Sequence, residues 1–162
     1  MIRVCFVCLG NICRSPTAEG VMRSVIEEAG LTHAIEVDSA GTAAYHEGEP
    51  PDRRSARAAL RRGVTLSGRA RQFRTEDWQR FDYVVAMDSS NHQDLFGQAR
   101  TVEHKSKLYL LRQFDANSPK GASVPDPYYG GEEAFDHVVD LCFEACRGLA
   151  AHIQRANKID RS

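Results

Sequence analysis

Apolar residues fall into short unbroken runs and one long helical stripe, and the two kinds of segment alternate along the chain. Ile2–Cys8 is apolar except for Arg3, which reads as a strand buried on both faces. Pro16–Glu28 reads as a helix closed by Gly30, and Ile35–Ser39 as a second strand followed by a long loop to Pro51. Asp52–Arg62 is expected as a helix bounded by Gly63, and Thr75–Arg80 as a short one. Tyr83–Met87 gives a third strand, Ser90–Phe96 a helix and Lys107–Leu111 a fourth strand. Glu132–Ala156 closes the chain as a helix, with Phe135, Val138, Val139, Cys142, Cys146, Leu149 and Ile153 on one stripe. This order predicts an α/β fold: a four-stranded parallel doubly wound sheet of Rossmann or flavodoxin-like type, with helices on both faces. In such sheets ligands bind beyond the carboxyl ends of strands, where the strand order reverses. Cys8 ends the first strand.

Composition narrows the class. With 162 residues, 42% of them hydrophobic and 27% charged, the chain has an ordinary globular composition. No linker, repeat or low-complexity segment interrupts it, so residues 1–162 are expected to form a single domain. No run reaches the length of a membrane span, and the start lacks the apolar core of a signal peptide, which predicts a cytoplasmic protein away from membranes. Five cysteines do not fit a secreted disulfide scaffold. Cys5, Cys142 and Cys146 read as core. The six histidines show no metal-ligand spacing, so no metal is expected.

The net charge of −1 is unevenly spread. Arg53, Arg54, Arg57, Arg61, Arg62, Arg69, Arg71 and Arg74 share a stretch without an acidic residue. Either they form a solvated helix face and loop, or they make a positive rim that steers phosphorylated partners. Few aromatics interleave with them, so nucleic acid is not an expected partner.

The chemistry concentrates in Cys8-Leu9-Gly10-Asn11-Ile12-Cys13-Arg14-Ser15-Pro16. A cysteine opens a tight loop, an arginine closes it and a serine follows. Beside a cation or at a helix N-terminus a thiol pKa falls to roughly 3.5–7.5, and this loop offers both aids. Ser15 reads as an N-cap whose hydroxyl can also reach the Cys8 sulfur, and Pro16 as the first helical residue. Gly10 and Asn11 are the residues expected to take positive φ and curl the loop. The resulting nest of N–H donors, with the Arg14 fork, suits a tetrahedral oxyanion such as phosphate. Asp126, held between Pro125 and Pro127, reads equally as a surface turn or as a carboxyl stiffly held for proton transfer.

Phe6 to Pro16 resembles the signature of the low-molecular-weight protein tyrosine phosphatases. The likeness continues through Asp38–Thr42, Phe81–Tyr83 with Met87–Asn91, and Asp126–Gly130. The resemblance implies phosphotyrosine hydrolysis through a cysteinyl-phosphate. Cys8 would be the nucleophile, Arg14 the phosphate clamp and Asp126 the general acid and then base, with Leu9, Gly10, Asn11, Ile12, Cys13, Arg14 and Ser15 as the phosphate-binding loop. It implies that Ile12, Tyr45, Tyr128 and Tyr129 line the substrate cleft and that Asn11 bonds Ser39. Asp88 either braces the site or caps the helix after it. It further implies a tyrosine-phosphorylated protein as partner, such as a tyrosine kinase, inorganic phosphate as product, no cofactor, and a monomer or weak dimer. Tyr128 and Tyr129 are family positions open to regulatory phosphorylation. Some relatives carry a histidine near Gly68, where this chain has none.

Three neighbouring chemistries share such a loop. Thiol-dependent arsenate reductases need relay cysteines, absent here from the region of residues 80–90. Phosphocysteine carrier domains lack the closing arginine. Phosphoarginine-selective relatives have a small hydroxyl residue where this chain has Ile12. Cys13 lies five residues after Cys8, so oxidation of Cys8 is expected to be captured as a disulfide, unless Cys13 serves only as a small buried apolar group.

Overall fold

A computed structural model describes residues 1–162. Strand β1 (Ile2–Cys8) leads into helix α1 (Arg14–Glu28), then strand β2 (Ile35–Gly41) and helix α2 (Arg53–Leu60). Helix α3 (Asp77–Arg80), strand β3 (Tyr83–Ala86) and helix α4 (Ser89–Gln98) follow. Helix α5 (Val102–Ser106), strand β4 (Leu108–Leu110), a 3-10 turn at Leu111–Phe114 and helix α6 (Glu132–Asn157) complete the chain.

All strand pairings are parallel, and the spatial order is β2-β1-β3-β4. The doubly wound α/β sheet expected from the sequence is therefore the fold. The chain leaves β1 for β2 on one side and returns through β3 on the other, so the order reverses at the carboxyl ends of β1 and β3. β1 is central because both its faces are apolar. Val4, Phe6 and Cys8 enter a core with α1, α2 and α6, while Cys5 and Val7 enter a second core with Trp78 of α3 and Leu95 of α4. Cys5, Cys142 and Cys146 are fully buried, as read from the stripe and the strand. Burial pushes the Cys142 thiol up to about 12 and the other two well above the ordinary value. One close approach fixes α6: a Cβ on Gly148 would lie 1.8 Å from the Phe114 carbonyl oxygen, so only glycine fits there.

Several boundaries differ from the sequence reading. β2 runs on to Gly41 because its last residues pair with Val7 and Cys8, and α2 stops at Leu60, one turn before Gly63 at φ 76°. β3 and β4 are each shorter, α3 starts two residues later, α4 spans Ser89–Gln98, and α6 extends one residue further. α5 and the 3-10 turn lack an apolar stripe long enough to announce them.

The start of α1 carries the correction that matters for function. Cys13, not Ser15, is its N-cap, and Ser15 and Pro16 lie inside the first turn. Proline is tolerated throughout that turn, since the first four N–H groups of a helix have no intrahelical acceptor. The first bond closes only at Thr17, whose N–H donates to the Cys13 carbonyl at 3.3 Å, with the Thr17 hydroxyl on the same oxygen at 2.7 Å.

Candidate active site

The loop from Cys8 to Arg14 sits at the point where strand order reverses. It curls through Asn11 alone, which takes φ 58°, whereas Gly10 does not adopt positive φ. Gly10 serves a different purpose: it leaves room for the His46 ring, whose Cδ2 would lie 2.9 Å from a Cβ there. The curl brings the Asn11 N–H to 3.3 Å from Cys8 Sγ.

The Asn11 side chain is pinned from three directions. Its Oδ1 accepts the Arg71 N–H at 3.0 Å, which orients the amide. Its Nδ2 then donates to Ser39 Oγ at 3.0 Å and to Ser15 Oγ at 2.8 Å. Ser39 donates its single proton to Glu19 Oε1 at 2.6 Å, so toward Asn11 it can only accept. Ser15 Oγ, accepting from Asn11, keeps its own proton free. The nearest acceptor is Cys8 Sγ at 3.0 Å, closer than the Ala40 carbonyl at 3.4 Å. A buried network thus aims one hydroxyl at the sulfur. Burial lifts the Glu19 carboxyl above its usual value, and Ser39 and Arg23 oppose that shift.

Arg14 is almost wholly buried. Its Nη1 donates to Asp88 Oδ2 at 2.5 Å and to the Val124 carbonyl at 3.1 Å. Burial is the largest influence and works against its charge, but the bond to Asp88 together with the charges of Cys8, Asp88 and Asp126 outweighs it, and its pKa is raised. Asp88 does both things the sequence left open: Oδ2 holds Arg14, and Oδ1 accepts the Asn91 N–H at 2.7 Å to cap α4.

Asp126 stands across from the loop, with Oδ2 3.8 Å from Arg14 Nη2 and a side chain 49% exposed. Its Oδ1 accepts the Tyr128 N–H at 3.1 Å. Cys8, Arg14 and Asp126 line one cleft of about 410 Å³, walled by Leu9, Ile12, Tyr45, His46, Tyr128 and Tyr129. Tyr128 and Tyr129 meet edge to face at 5.1 Å, and Arg54 lies 5.0 Å over the Tyr128 ring. Cys13 is buried but also lines this cleft, and burial pushes its thiol up to about 12 against a hydrogen bond from Ser55.

Sequence reasoning missed four contributors. Glu19 is an acid among small and apolar residues, Ala18-Glu19-Gly20-Val21, an incongruity that could have marked it as buried and paired. Arg71 acts through its backbone, which no side-chain pattern signals. His46 reaches the cleft from the long loop after β2, with Nδ1 2.8 Å from Glu49 Oε2. Asp52, the N-cap of α2, donates its N–H to the Ile12 carbonyl at 2.8 Å and ties that helix to the loop.

Comparison with known proteins gives consistent matches. The family model described as low molecular weight phosphotyrosine protein phosphatase matches residues 3–159. A low molecular weight protein-tyrosine-phosphatase of Streptomyces coelicolor is 44% identical over 153 residues, covering 94% of this chain and 93% of that protein. The human low molecular weight phosphotyrosine protein phosphatase is 42% identical over 147 residues, covering 90% and 92%. The crystal structure of a protein tyrosine phosphatase from Entamoeba histolytica, with Hepes in its active site, superposes with a TM-score of 0.92 at 38% identity, covering 97% of this chain and 99% of that one.

Proposed function

The chain belongs to the low molecular weight phosphotyrosine protein phosphatase family, and from that premise we propose that it hydrolyses phosphotyrosine on proteins through a cysteinyl-phosphate at Cys8. One observation carries this reading: a sulfur, a buried guanidinium and an opposed carboxyl converge on one aromatic-walled cleft.

The phosphate enters the loop with its oxygens on the backbone N–H groups and on the unengaged donors of Arg14. The Cys8 thiolate attacks phosphorus, the bond to the tyrosine oxygen breaks, and Asp126 gives its proton to that oxygen so that neutral tyrosine leaves. Asp126, now a carboxylate, takes a proton from water as the water oxygen attacks phosphorus. The S–P bond breaks, phosphate departs, and the electron pair returns to sulfur. The Ser15 hydroxyl, 3.0 Å from Sγ, donates to the sulfur as leaving thiolate in this second step.

Ile12 and the tyrosine rings favour a phenyl ring in the cleft over a flexible guanidino chain. Arg14 supports hydrolysis over phosphoryl carriage. For a disulfide relay of the arsenate-reductase type, Cys142 and Cys146 are fully buried.

The test is a kinetic comparison of peptides bearing phosphotyrosine, phosphoserine or phosphoarginine. It is joined to denaturing quench of the Asp126→Ala variant and intact-mass analysis. Selective phosphotyrosine turnover and a protein heavier by one phosphoryl group on Cys8 are expected. Faster turnover of phosphoarginine, or no adduct on Cys8 under burst conditions, would overturn the reading.

A further inference from the structure

The arginine-rich stretch divides sharply once its partners are known. Arg61 pairs with Glu132 at 2.9 Å and Asp136 at 2.5 Å, and Arg62 with Asp140. Arg71 holds Asp77 at 2.9 Å and Asp38 at 3.3 Å, Arg74 reaches Glu47 at 3.5 Å, and Arg69 donates to the Gly48 carbonyl at 3.3 Å. Arg54 is chelated by Asp52 and donates to the Tyr128 carbonyl at 2.8 Å. Arg53 and Arg57 are exposed on α2 and form no ion pair or side-chain hydrogen bond. Their spacing of four, continued by Arg61, puts them on one helical stripe.

That stripe borders a groove of about 320 Å³, lined by Arg54, Arg57, Arg61, Gly130, Gly131 and Glu132 and by no apolar side chain. The groove adjoins the catalytic cleft along the chain. Gly130 and Gly131 follow directly on Tyr128 and Tyr129 of the cleft wall, and Arg54 bridges the two regions through the Tyr128 carbonyl. At the other end, Asp52 before Arg53 is bonded to Ile12 of the nucleophile loop. We propose that this groove receives acidic side chains of the substrate protein that flank its phosphotyrosine, held by Arg57, which lines it, and by Arg53 one turn earlier on the same stripe.

The proposal rests on the phosphotyrosine reading above. Arg61 already occupies Glu132, the one acidic lining residue, so the uncommitted charge in the groove is cationic. An extended chain spans about 3.3–3.6 Å per residue, so two to four residues cover about 7–14 Å. Gly131 is three residues from Tyr128, so a flank of that length is comparable with the chain that joins the cleft wall to the groove. A polar lining with two glycines offers backbone groups and room but no hydrophobic anchor, which suits carboxylates and excludes an apolar side chain as the recognised element.

The experiment measures kcat/KM for phosphotyrosyl peptides whose flanking residues within four positions are Glu or, isosterically, Gln. Para-nitrophenyl phosphate serves as a substrate without flanks. The wild type is expected to favour the Glu peptides by about two- to fivefold per arginine engaged, the range for exposed ion pairs. The gain should lie in KM and fade as salt rises. Arg57→Ala should lose part of the preference, Arg53→Ala with Arg57→Ala nearly all of it, and Arg57→Glu should reverse it. Turnover of para-nitrophenyl phosphate should be unchanged in each. Arg147→Ala, an exposed arginine on α6, should keep the preference. Equal wild-type rates on Glu and Gln peptides, or a preference surviving in the double variant, overturns the groove. So does an equal loss in Arg147→Ala, which would mark diffuse attraction. Binding of the wild type, but not the double variant, to phosphatidylserine vesicles without any peptide preference would replace the substrate flank with a membrane surface. Failure of the underlying reading is separate: it appears as no turnover of the Gln phosphotyrosyl peptide at all.

Discussion

The two loops that face each other across the cleft are built on opposite principles. The loop from Cys8 to Ser15 is enclosed: Asn11, Cys13, Arg14 and Ser15 are buried, and every polar side chain among Asn11, Arg14 and Ser15 is hydrogen-bonded. The segment from Pro125 to Gly130 is open, with Asp126 half exposed and Tyr129 96% exposed. Its carboxyl has one backbone hydrogen bond and a 3.8 Å approach to Arg14. On the proposed mechanism the difference follows from what each must do. A nucleophile and its anion donors gain from being set before substrate arrives, because no reorganisation is then left for the reaction itself. A proton donor must meet a leaving oxygen that enters and departs with each turnover, so its side of the cleft has to stay accessible.

The largest test of this contrast is Cys8→Ser. Turnover should fall on the order of 10⁴-fold or more, while vanadate still binds, because Arg14 and the loop amides remain. Hydrolysis clearly above background would remove Cys8 from the reaction. Asp126→Ala should cost roughly 10²–10⁴-fold in kcat/KM with phosphotyrosine and far less in kcat/KM with an activated aryl phosphate, since a donor matters in proportion to the basicity of the departing oxygen. Equal losses on both substrates would turn the open loop into a positioning element. Arg14→Lys should lower kcat by about 10²–10³-fold on either substrate, because a point charge cannot replace a planar fork held by Asp88. A near-normal kcat would falsify the clamp.

Smaller effects probe the enclosure itself. Ser39→Ala leaves one Asn11 N–H buried without a partner, which should cost about 1–3 kcal/mol, read as a lower Tm and a shallower kcat than wild type. An unchanged Tm would mean that this hydrogen bond does not stabilise the fold. The mildest is Cys13→Ser, expected to leave turnover intact and to reduce recovery by dithiothreitol after stoichiometric peroxide. The sulfenic acid on Cys8 would then have no neighbouring thiol to condense with, losing water as the disulfide forms. With its thiol pushed up to about 12, Cys13 should close that disulfide faster as pH rises below that value, because more of it is thiolate. Recovery that is equal in both proteins, or independent of pH, would leave Cys13 as packing.

Much of the architecture was legible in the linear pattern. The apolar run of Ile2–Cys8 flanked by a glycine-asparagine loop could only be a buried strand entering a turn, and the stripe from Phe135 to Ile153 could only be a packed helix. The strand follows from an unbroken apolar run and the helix from a repeat of about 3.6 residues. The order of strands and helices likewise fixed a parallel doubly wound sheet, because parallel strands need crossovers. Cys8, Arg14 and Ser15 are near neighbours in sequence, so their convergence is a local matter of one turn.

What tertiary structure alone decided lies between segments far apart in the chain. The linear pattern put Ser15 at the helix N-cap and positive φ at both Gly10 and Asn11. The fold moves the cap to Cys13, leaves the left-handed residue as Asn11, and uses Gly10 to make room for His46. The proton of Ser39 is committed by Glu19, the amide of Asn11 by the backbone of Arg71, and the guanidinium of Arg14 by Asp88 and Val124. Hydrogen bonds of this kind depend on distances of a few tenths of an ångström between elements that only the packed sheet brings together. Composition and spacing name the groups that can bond; which of them does so, and in which direction the proton points, is set by the geometry of the folded chain.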